Sequence, residues 1–431
     1  MLHDEDLAIE AKARSDRCLT AASGKPQTVS NQSLVDRMKL VFDLNSLRPP
    51  RSGVGYYTQH LLEGLRTQRD IEALAGWIGP KVYEDDSLNE LMCDQSALKK
   101  AARLTRGPVA SAVRAARNVP GVYEARTLLR GFASARPRDE FAARGYIYHE
   151  TNFIASRYRG PTVVTIHDLS HRRHPEFHPK AAVKYVDDGL PRTLEQARAV
   201  IAVSHYTKQA IHEIYGLPDD KVIAIHLGVE PCFRPRGEEE CESVLSRSGL
   251  RYQGFVLSVC TLQPRKNLRR LVEAFSRLPV AVRQAFPLVL IGAEGWMNSE
   301  LMREIEPLAM RGQLIAPGYV SRNDLVQLFA SAAVFAYPSL YEGFGLPVAE
   351  AMASGVPVLT SNVTSLPEVA GGAAWEVDPY AVDAIADGLE RTLDNESLRG
   401  ELVAKGLRRA ADFTWSATVE KTCDVYRSVA A

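Results

Sequence analysis

"AAVFAYPSLYEGFGLPVAEAMASGVPVLT", residues 332–360, reads as one complete unit of strand, loop, helix and strand. The first apolar run stops at Pro338, and Pro347 suits the first helical position because its missing N–H would be unpaired there anyway. Gly355 closes the helix and "VPVLT" starts the next strand at once. Two short apolar strands joined through a helix form the building block of a parallel sheet covered on both faces.

The same alternation extends in both directions. Upstream lie "KLVFDLNSL" (39–47), a loop "RPPRSG" (48–53), a helix from Val54 with Leu61, Leu62 and Leu65 on one face, and a strand through "IEALAGWIG" (71–79). After a less regular stretch come "GYIYHE" (145–150), "PTVVTIHD" (161–168), "AVIAVS" (199–204) and "VIAIHLG" (222–228), with Ser204 placed to cap the helix that follows. Pro231, Pro235 and the charged run 236–242 then interrupt the pattern. "FVLSVC" (255–260) and "PLVLIG" (287–292) resume it, with a helix carrying Leu268, Leu271, Val272 and Phe275 at helical spacing between them. The expected fold class is α/β, with two doubly wound Rossmann-like domains facing each other across a cleft. Residues 1–37 read as a loose extension, 38–235 as the first domain, 236–252 as a linker, 253–412 as the second domain and 413–431 as a C-terminal helix crossing back to the first.

With 431 residues, two domains are the prior expectation. Lys plus Arg and Asp plus Glu both number 52, which argues against a nucleic-acid partner. Cys18, Cys93, Cys232, Cys241, Cys260 and Cys423 are dispersed without a metal-ligand spacing, so a cytoplasmic protein with free thiols is expected. No apolar run reaches the roughly 18 residues of a membrane span. Segment 98–138 is basic, with cations from Lys99 to Arg138 against Glu124 as the one acid before its last residue. It is a candidate for peripheral docking on an anionic surface at the inner face of a membrane, the alternative being a solvated pair of helices.

Ligands of doubly wound sheets bind outside the carboxyl ends of the strands, so chemistry is expected in the loops there. Phe344, Gly345 and Leu346 bring backbone N–H groups to a helix start, where an anion is favoured. Glu342 in the loop and Glu350 about one turn into the helix can accept from hydroxyl groups, although a solvated acid in a first helical turn also explains Glu350. In "TLQPRKNL" (261–268), Arg265 and Lys266 reach the cleft, just before Asn267 as a helix cap. Such a pair can stabilise a departing diphosphate. Arg269 and Arg270 read as surface groups. "TVVTIHDL" (162–169) delivers His167 and Asp168 at a strand end, whereas His171, His174 and His178 crowd a polar loop and match no metal spacing. Gly53 and Gly55 begin a dinucleotide-like pattern, but Thr58 stands at its third glycine, which favours a glycine turn approaching a phosphate from the opposite domain. The sole Asp-x-Asp is Asp4-Glu5-Asp6, which argues against a metal-bridged diphosphate, and no metal or cofactor is expected.

Taken together, "PSLYEGFGLPVAEAMASGVPVLTSNVTSLPEVAG", "TLQPRKNL", "TIHDLS", "AVSHYTKQAI" and "HLGVEPCFRP" resemble the GT-B glycosyltransferases of family 4, a retaining, metal-independent group, from about Lys39 to the C-terminus. Glu342 and Glu350 match that family's E-x7-E motif. Cys260 departs from its pattern, in which glycine is expected. The resemblance implies that Glu342 contacts sugar hydroxyls, the backbone of Phe344, Gly345 and Leu346 holds sugar and phosphate, and Glu350 binds ribose. It also implies that Arg265 and Lys266 neutralise the leaving diphosphate, Gly53 and Gly55 approach it, and His167 orients sugar and acceptor. The substrate implied is a nucleotide-sugar donor, most similar to GDP-mannose, with a glycan or polyprenyl-linked acceptor. The base is left to backbone contacts near 318–320, so dTDP-rhamnose or a UDP-hexose stays open, as does a sugar-nucleotide epimerase or a non-catalytic sensor on the same scaffold.

Overall fold

The computed structural model describes residues 37–48, 53–93, 134–292, 299–318 and 320–430. The N-terminal extension, except Arg37, and the basic segment up to residue 133 lie outside the described residues.

Two sheets organise the chain. The first contains β1 (Met38–Asp43), β2 (Ile71–Ile78), β3 (Lys81–Glu84), β4 (Ile147–Glu150), β5 (Thr162–Ile166), β6 (Ala199–Ala202) and β7 (Val222–Ala224), in the order β3-β2-β1-β4-β5-β6-β7. All its pairs are parallel except the β2–β3 hairpin. The second contains β8 (Val256–Val259), β9 (Leu288–Ile291), β10 (Leu314–Gly318), β11 (Val334–Tyr337), β12 (Val358–Ser361) and β13 (Trp375–Val377), all parallel, in the order β10-β9-β8-β11-β12-β13. Strands β9, β11 and β12 are buried throughout, as expected where helices cover both faces.

Both sheets reverse strand order beside their first strand, and that is where the site forms. Val256 and Leu257 of β8 pair with Val334 and Phe335 of β11. The loops leaving Val259 and Tyr337 therefore emerge side by side at a topological switch point.

The chain crosses between the lobes twice, and the crossings are joined. Val229 N–H donates to the Phe413 carbonyl at 2.9 Å, and Val229 and Thr414 form an isolated parallel bridge. From there the Trp415–Ala430 helix returns to the first lobe, burying Val419, Cys423 and Tyr426 against it. The Tyr426 hydroxyl meets His149 Nδ1 at 2.6 Å, His149 Nε2 meets Thr165 Oγ1 at 2.8 Å, and Thr165 Oγ1 meets the Tyr57 hydroxyl at 3.0 Å. All four side chains are buried, so this polar chain ties the last helix to the first sheet. No helix among the described residues is long and apolar enough to cross a membrane.

Candidate active site

After β8 the chain makes a single 3-10 turn, Pro264–Lys266, which presents Arg265 and Lys266. After β11 it runs through Pro338 to Gly345 and enters the Leu346–Ala353 helix, with Pro347 in the first turn. Gly345 adopts φ +103°, a backbone conformation that side chains rarely tolerate. Pro347 carries no N–H and Val348 N–H donates to the Gly345 carbonyl at 2.9 Å, which leaves Leu346 N–H as the helix donor without an acceptor within its own helix.

Glu342 joins the two loops. Its Oε1 accepts from Lys266 Nζ at 2.5 Å, Ser339 Oγ at 2.7 Å and the Tyr337 hydroxyl at 3.0 Å, while Oε2 accepts from Arg265 Nη1 at 3.0 Å. Lys266 also donates to the Tyr337 hydroxyl at 2.7 Å, and Arg265 to the Tyr341 carbonyl at 3.0 Å. Burial pushes the Glu342 carboxyl up, but Lys266 and Arg265 outweigh it and hold the group down at about 2. Burial, then the Arg265 charge, pulls Lys266 below its ordinary value despite Glu342. The result is two cations fixed by one ionised carboxylate, with a net positive charge at the carboxyl end of the sheet.

Asn267 occupies the position before the Leu268–Arg277 helix, but its side chain does not cap it. Its backbone is left-handed, φ +60°, and Nδ2 donates to the Pro338 carbonyl at 2.9 Å and the Pro379 carbonyl at 2.7 Å. Asn267 thus braces the site where sequence suggested a cap. Arg269 pairs with Glu304 at 2.7 Å, and the Arg270 guanidinium lies 5.7 Å from the Tyr380 ring.

The opposite wall comes from the first lobe. His167 follows β5, and its Nε2 lies 2.8 Å from the Thr151 carbonyl. A carbonyl only accepts, so Nε2 carries the proton and Nδ1 is the acceptor of a neutral ring. Burial lowers its basicity. Tyr57 packs edge-on against the ring at 5.1 Å. Asp168 accepts from Ser170 N–H at 2.9 Å and Ser170 Oγ at 2.7 Å; burial opposes its ionisation, but Arg265 across the cleft and these bonds keep it ionised. His171 lies 3.7 Å from Asp187, while His174 pairs with Glu176 and stacks on Phe177.

The lobes meet at Gly343, which the motif contains but sequence reasoning did not single out. Its carbonyl accepts from Ser204 Oγ at 2.6 Å and Thr207 Oγ1 at 3.0 Å. Ser204 also accepts from Thr207 N–H at 3.0 Å, capping its helix as expected. Tyr337 and Ser339 were missed as well; no local pattern distinguishes them from residues that merely end a strand.

Glu350 is buried a turn into its helix, with Oε1 3.6 Å from Arg322 Nη2. Burial, only partly offset by Arg322, raises its carboxyl to about 7. Arg322 also pairs with Glu230, whose Oε1 lies 3.2 Å from His60 Nε2. Gly53 and Gly55 fall in the first turn of the Gly53–Leu65 helix, not in a loop, and Thr58 is buried and bonded to Thr151 at 2.8 Å. A Cβ added to Gly53 would meet nothing within 4 Å among the described residues. Phe344 has its ring buried against Phe413, so only its backbone is available to a ligand. The Cys260 thiol, where the family pattern has glycine, is pushed up to about 12 by burial.

Residues 51–232 match Glycosyltransferase Family 4, and residues 250–409 match Glycosyl transferases group 1. The chain is 35% identical over 390 residues to the O-antigen chain mannosyltransferase B of Escherichia coli, covering 90% of this chain and 100% of that protein. It is 34% identical over 235 residues to the serotype-specific mannosyltransferase WbdA of Escherichia coli, spanning 29% of that protein's length. Among solved structures, a sucrose-phosphate synthase from Thermosynechococcus elongatus matches with a TM-score of 0.66 at 20% identity, over 91% of this chain and 99% of that one. Anabaena HepE in complex with UDP-glucose matches with a TM-score of 0.66 at 17% identity, over 91% and 100%. The switch-point geometry and these similarities lead to one conclusion: the chain belongs to the GT-B glycosyltransferases of family 4 and is a glycosyltransferase.

Proposed function

We propose that the protein transfers mannose from GDP-mannose, with retention at the anomeric carbon, onto a lipid-linked or polysaccharide acceptor in cell-surface glycan synthesis. The observation that carries the reading is the Lys266–Glu342–Arg265 cluster at the switch point of the second sheet, taken with full-length similarity to an O-antigen mannosyltransferase. In this reading the second sheet carries the donor and the first the acceptor.

Arg265, Lys266 and the N–H groups of Phe344, Gly345 and Leu346 hold the diphosphate. As the sugar–oxygen bond breaks, they take up the charge growing on the leaving oxygens in a place where the dipoles need no reorganisation. The acceptor oxygen bonds to the anomeric carbon on the face that the diphosphate leaves, and its proton passes to the departing phosphate oxygen. Glu342 fixes both cations and, through the less occupied Oε2, receives a sugar hydroxyl. His167 Nδ1 accepts from a hydroxyl near the reacting carbon. Glu350 takes the ribose hydroxyls, and Gly53 and Gly55 approach the phosphates from the first lobe.

The test is a donor panel of GDP-mannose, UDP-glucose and dTDP-rhamnose with mass detection of glycosylated product and assignment of anomeric configuration. Mannosyl transfer with an α-linked product is expected from α-linked GDP-mannose. Product from another donor alone, or an inverted linkage, overturns the reading. Docking of segment 98–138 on lipid is tested by flotation with anionic vesicles at low salt, where failure to float removes it.

A further inference from the structure

Next to the contact of Ser204 with Gly343, a second cluster joins the lobes. His205 opens the His205–Tyr215 helix, His226 follows β7, and Glu368 lies on the Leu366–Ala370 helix of the second lobe. One donor atom from each lies within 4.8 Å of the other two. His226 Nε2 is 2.6 Å from Glu368 Oε1, and the rings of His205 and His226 meet edge to face at 5.7 Å.

We propose that His205, His226 and Glu368 form a binding site for a zinc-class divalent cation that bridges the two lobes. Two imidazoles and one carboxylate with an open fourth position suit Zn2+, whose bonds of about 2.0–2.2 Å require donors roughly 3.3 Å apart. The present separations reach that spacing by small side-chain movements. A neutral His226 ligates through Nε2 with its proton on Nδ1, so the hydrogen bond to Glu368 is replaced by one bond from each residue to the cation. Hard cations such as Mg2+ prefer oxygen donors and are disfavoured.

The surroundings already orient the donors. Glu368 is held by the backbone of the opposite lobe, Oε1 accepting from His205 N–H at 2.8 Å and Oε2 from Tyr206 N–H at 3.0 Å. The His226 ring packs against Phe344 at 5.7 Å and Phe413 at 5.6 Å, and its carbonyl accepts from Thr418 Oγ1 at 2.8 Å. Outer contacts of this kind fix the direction of a ligand before metal arrives. His205 is exposed, which supplies a path for entry. A filled site would pin together the two lobes beside Ser204 and Thr207, which hold Gly343.

Untagged native protein and His205→Ala are titrated with Zn2+ by calorimetry and with Co2+ by visible absorption, and both are melted with and without Zn2+. His205 is the position to change because it is exposed, and circular dichroism checks that the variant is folded. The native chain is expected to bind one equivalent of Zn2+ at least tenfold more tightly than the variant, to give a Co2+ spectrum that the variant lacks, and to gain melting temperature only when His205 is present. Equal zinc affinity in both proteins, or no uptake by the native chain, overturns the site. Failure of glycosyl transfer with every donor leaves this measurement intact, since it reads binding alone.

Discussion

Gly343 lies against the backbone of His167: a Cβ built on Gly343 would come within 1.7 Å of the His167 carbonyl oxygen. The contact joins the loop that carries Glu342 to the strand end that carries the imidazole. Gly343→Ala must force the lobes apart, because the obstructing atom is backbone. Overpacking of this kind costs about 1–3 kcal/mol. We expect transfer to fall at least tenfold with a melting temperature lowered by several degrees. Gly53→Ala, whose added Cβ meets no described residue within 4 Å, should keep the native melting temperature, so any loss of donor affinity there reports on the ligand.

Lys266→Ala removes one of the two cations but leaves Glu342 paired with Arg265. Loss of a transition-state charge contact predicts a drop of about 100-fold to 1,000-fold in kcat. Glu342→Gln keeps the shape but loses the charge that holds both cations, and a comparable drop is expected. Steady-state kinetics of the two variants checks this, and near-native turnover in both would remove the assigned roles.

Glu350 should make donor binding depend on pH near neutrality. Its carboxyl stands at about 7, up from the usual 4.5, because it is buried. An ionised carboxylate accepts from ribose hydroxyls better than its protonated form, so the donor KM should rise as pH falls from 8 to 6. In Glu350→Gln that dependence should flatten. Stability moves the other way: a raised carboxyl favours the folded state at low pH, and that contribution is lost as pH rises from 4.5 to 7.

Tyr426→Phe deletes the hydroxyl that satisfies His149 Nδ1. A buried polar atom left without a partner costs about 1–3 kcal/mol, read as a lower urea midpoint with unchanged slope. His149 itself is pulled from 6.5 down to about 3 by burial, so it stays neutral in the fold while the unfolded chain takes up a proton. Its contribution to stability is complete above 6.5 and is lost as pH falls toward 3. His149→Gln should reduce that acid slope in urea titrations.

The central strands were legible because burial on both faces leaves continuous apolar runs, as in "VFAY" and "LVLI". Of the four edge strands, β7 was legible in "VIAIHLG" and the other three were not. β3 is short and partly exposed, β10 ends in Ala-Pro-Gly, which reads as a turn yet is tolerated at a sheet edge, and β13 has three residues. At the site, Arg265, Lys266, Glu342 and Glu350 stood out by residue type and by position beside strand ends. Tyr337, Ser339, Gly343 and the true contacts of Asn267 did not, because their partners lie in loops brought near only by the strand order. Asn267 shows the limit well: its type favours a cap, but a left-handed backbone turns the amide toward two distant carbonyls.

The last helix completes the first lobe, filling a face that includes Gly64, where an added Cβ would lie 2.4 Å from Val419. During translation, that face must wait until the whole second lobe has left the ribosome. The nascent chain therefore carries an unsealed apolar surface through most of its synthesis, and chaperone dependence in the cell should depend on how promptly residues 415–430 emerge.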